Sequence, residues 1–176
     1  MSPVKESDAY VLATERLAAG EYALVVQSLA DAVCRYPNAG RLWEVLGKAH
    51  LALGDADQAV SCLEHASCLV PLTTQGRLAL GHAYEFTGRK SLARDLFLML
   101  TDQDDLATVA LAPLARGLGR LDEPARALDV CAEAARREPD LPGPLLGMVF
   151  YQRRLGYSHE RSLPLLFRAL NLDPDD

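Results

Sequence analysis

Cys62, His65 and Cys68 come nearest, by residue type and spacing, to a metal site in this chain. They stand three residues apart, and a helix places residues at that step about 60° apart around its axis. Three such ligands share one ion poorly, and no fourth accompanies them. Two packing cysteines flanking a solvated histidine are expected instead. Asp102, Asp104 and Asp105 suggest calcium by charge, but the glycine and the distal glutamate of an EF-hand loop are missing. A polar turn between helices is expected there. No Gly-rich phosphate loop, Gly-x-Ser-x-Gly elbow or His-Glu-x-x-His motif occurs. The sequence therefore points to no catalytic residue, no metal ligand and no cofactor, and an enzyme is not expected.

The elements carrying these residues are set by a period. Leu12, Leu46, Leu80 and Leu114 each lie 34 residues beyond the last, with Met148 in the next place. Gly20, Gly54 and Gly88 keep the same step, as do Pro37 and Pro71, with Pro139 two periods on. A period of this length marks a chain of stacked small units. None is large enough to bury its own apolar face, so each must lean on the next. One domain over 1–176 is expected, with units at 6–39, 40–73, 74–107, 108–141 and 142–176.

The second unit is the clearest. It carries Trp43, Leu46, Gly47, His50 and Gly54, then Ala59, Leu63, Ala66 and Pro71. Apolar residues at three- and four-residue steps form one helix face. The small residues Gly47, Ala59 and Ala66 let two antiparallel helices approach. Gly54 ends the first helix, where a positive φ costs it nothing, and Asp55 with Gln58 suggests a capping box for the second. In the third unit Asp105 replaces the closing proline. In the fourth, Asp122 replaces the turn glycine and Pro124 falls in the first helical turn, where its missing N–H is harmless. The fifth needs one extra residue before Ser162, Leu166, Ala169 and Pro174 fall into register. Pro164 implies that its last helix either starts near Ser162 or starts near Ser158 and kinks.

This pattern resembles the tetratricopeptide repeat, whose signature places Trp, Leu-Gly and Tyr on a first helix and Ala, a large apolar residue, Ala and Pro on a second. The resemblance covers nearly the whole chain. His50 stands at the Tyr place, so a buried histidine with one hydrogen bond is expected rather than a general base. The resemblance implies an all-α α-solenoid of antiparallel helix hairpins coiled into a right-handed superhelix, with the first helices lining a concave groove. Carried over place by place, the groove residues are Tyr10 and Thr14; Arg41, Glu44 and Lys48; Leu78, His82, Glu85 and Phe86; Arg116 and Arg120; and Phe150 and Arg153. Val45, Val109 and Arg154 fall in such places too. The two-carboxylate clamp of heat-shock co-chaperones is absent, because its places hold Tyr10, Thr14, Val45, Gln75 and Ala79.

Of the 176 residues, 49% are hydrophobic and 24% charged, with a formal net charge of −6. That suits a soluble protein and argues against nucleic acid, whose phosphates need a basic face. No leader-like start and no run of 18 apolar residues occurs, so no membrane contact is expected and the cytoplasm is the expected location. Four cysteines are too few for a disulfide framework, and all are expected to be reduced packing residues.

The ninth place of successive first helices reads Thr14, Lys48, His82, Arg116, Phe150, so positive charge gathers toward the middle and C-terminal half of the groove. Solvated surface residues would account for it. An electrostatic guide for an acidic peptide, with Phe86 and Phe150 receiving its apolar side chains, would account for the aromatics as well. A non-catalytic adaptor binding a protein or peptide partner is the leading expectation. A small chaperone for a secreted or membrane-bound client, or a regulatory subunit of an enzyme assembly, are the alternatives. Leu163, Phe167 and Leu170 lack evident cover, so either the array is longer than this chain or a homodimer forms through the last helix.

Overall fold

The structure is a computed structural model that describes residues 5–103 and 106–173. The described residues form ten α-helices and no strand. In chain order these are α1 (Glu6–Ala18), α2 (Tyr22–Arg35), α3 (Gly40–Ala52), α4 (Ala56–Leu69), α5 (Thr74–Phe86), α6 (Lys90–Thr101), α7 (Thr108–Arg120), α8 (Pro124–Arg137), α9 (Pro142–Arg154) and α10 (His159–Leu172). First helices start at Glu6, Gly40, Thr74, Thr108 and Pro142, a constant step of 34. Asp104, Asp105 and Pro174 lie outside the described residues.

The turn inside each hairpin is made the same way. Its residue with positive φ is Gly20, Gly54, Gly88 or Gly156, and in the fourth hairpin Asp122 at φ 62°. Aspartate tolerates this left-handed region better than most side chains. Arg154 steadies it, with Nη2 donating to Asp122 Oδ1 at 2.9 Å. Pro124 begins α8, as its missing N–H allows. Asp55 flanks α4 but makes no side-chain cap. Its carboxylate instead lies 3.5 Å from Nδ1 of the half-buried His50.

The last hairpin carries one residue more. Tyr157 and Ser158 separate Gly156 from α10, where Asp55 alone separates Gly54 from α4. The turn absorbs the extra residue, so Ser162 is buried in α10 just as Ala59 is in α4 and Ala127 in α8. Of the two paths for this helix, the early start holds: α10 begins at His159 and contains Pro164.

Contacts gather the chain into two compact units, Met1–Ala93 and Arg94–Asp176. In the first, α1 to α5 pack in sequence, and α3 also touches both α1 and α5. Val25, Leu29, Leu42, Val45 and Ala49 form its core with Ala13 and Cys62, flanked by Tyr22, Tyr36 and Trp43. Close helix approach depends on Gly47, where an added Cβ would lie 2.6 Å from Leu63 Cγ. In the second unit α7, α8, α9 and α10 pack in order. Phe97, Leu100, Leu114, Leu118 and Leu145 are its largest fully buried apolar side chains. Phe97 fits because residue 117 is glycine, whose Cβ would otherwise sit 2.5 Å from the ring. Burying each such side chain contributes about 1.5–3 kcal/mol.

Candidate functional site

The thirteen residues expected to bind a partner divide by burial and by unit. On the first unit, Tyr10, Arg41 and Phe86 are exposed, and Thr14, Lys48, His82 and Glu85 are half-buried. Glu44 and Leu78 are not presented to solvent at all, being 1% and 4% exposed. Val45 is buried as well. The physical reason is that α3 packs on α1, α2 and α5: Val45 joins the core with Ala13, Val25 and Leu29, and Glu44 lies in the seam toward α5 against Gly76.

Glu44 is a clasp rather than a contact for a ligand. Its carboxylate accepts hydrogen bonds from the Thr73 hydroxyl and, at 3.4 Å, from the Thr73 N–H. Thr73 is the N-cap of α5, and its Oγ1 in turn accepts from the Gly76 N–H at 3.0 Å. Gly76 makes room, because a Cβ there would fall 2.5 Å from Glu44 Oε1. Arg41 Nη1 lies 2.7 Å and Lys48 Nζ 3.6 Å from the same carboxylate. Burial pushes the Glu44 pKa up, but Thr73, Arg41 and Lys48 together outweigh it and hold the group below the usual carboxylate range. The cations of this face are therefore already engaged inside the protein. His82 is likewise 3.3 Å from Glu85, and its ring stacks toward Phe86 at a centroid distance of 6.4 Å.

The second unit differs. Arg116, Arg120, Phe150 and Arg153 are all exposed. Arg116 and Arg153 make no hydrogen bond or ion pair among the described residues. Phe150 is 56% exposed, its ring edge-on to Tyr151 at 5.1 Å. Tyr151 is buried, and its hydroxyl donates to the Ala115 carbonyl at 2.9 Å. Burial, reinforced by Cys131, raises its pKa against the pull of Arg154, Arg120 and Arg116. Arg154 is tied down, donating to the Gly119 carbonyl at 2.6 Å and to Asp122. An arginine set beside an exposed aromatic ring can receive an acidic, partly apolar segment.

The other chemical candidates resolve simply. Cys62 is buried while His65 and Cys68 are exposed, and His65 meets Trp43 edge-on at 4.7 Å. No group of three or more His, Cys, Asp or Glu side chains could hold a metal ion among the described residues. All four cysteines are free thiols. Cys34 and Cys68 are exposed, so the expectation of packing cysteines holds only for Cys62 and Cys131, whose thiol pKa burial pushes up to about 11. No helix among the described residues is long and apolar enough to cross a membrane.

Comparison with known proteins accords with this geometry. Residues 40–67 match the family described as "Tetratricopeptide repeat". No curated protein matches the chain in sequence. Among solved structures, MamA MSR-1 is 20% identical, covers 98% of each chain and superposes with a TM-score of 0.77. An ArsTM double mutant of MamA RS-1 is 14% identical, covers 99% of this chain and 97% of that one, and gives 0.79. YrrB, a TPR protein with an unusual peptide-binding site, is 15% identical over 97% of this chain and 88% of that one, with 0.76. At such identities the likeness shows the fold. The sequence match of the second hairpin and the fold of the chain agree: residues 40–67 match the tetratricopeptide repeat, and the chain as a whole has the all-α solenoid fold of these tetratricopeptide-repeat structures.

Proposed function

We propose that this protein is a non-catalytic interaction adaptor that holds an acidic segment of a partner protein on the first-helix face of its second unit. The observation that carries this reading is the pair Arg116 and Arg153, both exposed and both without an internal partner, beside the exposed Phe150. Unpaired arginines draw carboxylates by charge and by bidentate hydrogen bonding. The aromatic ring then gives the segment's apolar atoms somewhere to rest. The fold supports the interaction class, since tetratricopeptide-repeat proteins are interaction scaffolds.

Fluorescence anisotropy with labelled acidic and basic peptides of matched length tests the reading. Acidic peptides should bind, weaken with salt, and lose about tenfold in affinity with Arg116→Glu, Arg153→Glu, the cost of about 1.4 kcal/mol. Equal binding of basic peptides, or indifference to that double variant, would sink it.

A second contact is proposed on α10, where Leu163, Phe167 and Leu170 are 45%, 63% and 54% exposed on a helix that packs on α9. Two copies pairing through this face would cover the apolar atoms. Light scattering should give a dimer at high micromolar concentration and a monomer for Phe167→Glu. A wild-type monomer across that range would count against it.

A further inference from the structure

Tyr151 occupies a place on α9 that small residues hold on earlier first helices: Ala49 on α3, Ala83 on α5 and Gly117 on α7. Its ring is wedged against α7, where an added Cβ at Gly119 would lie 2.6 Å from Tyr151 Cε1. A ring held between two helices keeps their backbones apart over neighbouring turns. Toward the start of α9 nothing refills the gap, because that part of the helix carries Gly143 and Gly147. The result is a cavity of about 480 Å³ walled by Leu111, Ala115, Cys131, Gly143, Gly147 and Tyr151. Arg116 and Glu138 are the charged members of its lining.

We propose that this cavity seats one large apolar side chain, Phe or Leu, of the acidic partner segment, with a neighbouring carboxylate of that segment reaching Arg116. The inference deepens the proposed function and rests on it. Apart from Arg116 and Glu138 the wall is uncharged and mostly apolar. Its Tyr151 hydroxyl is already engaged by the Ala115 carbonyl, and its Cys131 thiol stays protonated because burial lifts the pKa to about 11. Such a wall rewards transfer of an apolar group from water and offers nothing to a charged one. Arg116 supplies the unpaired cation at the same opening. Glu138, also in the lining, disfavours a carboxylate on its own side and so gives the segment a direction.

Gly143 provides a clean test, since a Cβ built there meets nothing within 4 Å. Gly143→Phe adds a ring at the lining of the cavity with no clash at its point of attachment, and a helical glycine is replaced by a better helix former. The probes are short peptides of Asp, Ser and Gly carrying one central Phe, Leu or Ala. Wild type should prefer Phe or Leu to Ala by about tenfold or more, as burial of such a side chain implies. Gly143→Phe should erase the preference while leaving the thermal midpoint at or above the wild-type value. Should that variant melt early, Ala112→Leu, from an exposed position of the same lining, serves in its place. If acidic peptides bind wild type and filled variants alike whatever the central residue, the cavity inference is overturned and the proposed function stands. If no acidic peptide binds wild type, both fall.

Discussion

The two units join their first helices by opposite means. Between α3 and α5 lies a buried carboxylate, Glu44, bonded to the N-cap Thr73 and flanked by Arg41 and Lys48. Between α7 and α9 lies a neutral ring, Tyr151, bonded to a backbone carbonyl. Each solution needs a glycine opposite it, Gly76 in one case and Gly119 in the other. The consequences for the surface differ. A carboxylate in the seam recruits Arg41 and Lys48, whereas the neutral phenol leaves Arg116 without an ion pair. Lys48 and Arg116 hold the same place in their repeats, yet one supports the fold and the other is available. Counting charges along the repeat cannot make that distinction.

Breaking the first clasp should have the largest effect. Glu44→Ala removes a buried group that satisfies Thr73 and balances two cations, and should cost about 3 kcal/mol in urea unfolding. A loss below about 1 kcal/mol would mean that the carboxylate is incidental to the seam. The same group sharpens the contrast through pH. Its folded pKa lies below the ordinary carboxylate value, so its contribution is complete above that value and disappears as pH falls through the lower folded pKa. Glu44→Gln should therefore be less stable at neutral pH yet show a flatter acid limb of thermal midpoint against pH. Parallel limbs for the two proteins would remove Glu44 from the account.

Tyr151→Phe tests the second clasp and should cost about 1 kcal/mol, because it deletes one hydrogen bond and keeps the ring that spaces the helices. A cost matching that of Glu44→Ala would erase the difference between the two seams. The smallest effect belongs to Arg153→Ala, which should leave stability within about 0.5 kcal/mol. A larger loss would show that this arginine, like Lys48, serves the interior.

Much of the fold was legible because it depends on residues close in the chain. The turn glycines, Asp122 in their place, Pro124 at the start of α8 and the extra residue before Ser162 all act locally, and a fixed period displays them. The sites were less legible because burial of a side chain depends on a neighbour roughly one repeat away. Glu44 reads as a surface residue until Thr73 and Gly76 are set against it. Leu78 and Val45 were misplaced for the same reason. The signals that would have found this clasp are the Arg41–Glu44–Lys48 spacing of a charge-balanced helix face and the glycine three residues after Thr73. Nothing local marks Tyr151 as a wedge, since its place in the repeat is read only against Ala49, Ala83 and Gly117. Asp55 resembled a cap by type and position, but its side chain lies toward His50 instead.

The turn between α9 and α10 already takes one residue more than its counterparts, and the buried face of the following helix stays in phase. Gly156, Tyr157 and Ser158 are exposed and belong to no helix. For protein engineering, this turn is a ready splice point. A short epitope or a fluorescent reporter inserted between Tyr157 and Ser158 would sit a few residues from Arg153 in the chain. It would carry its signal where the proposed partner binds, while leaving the residues of α9 and α10 unchanged.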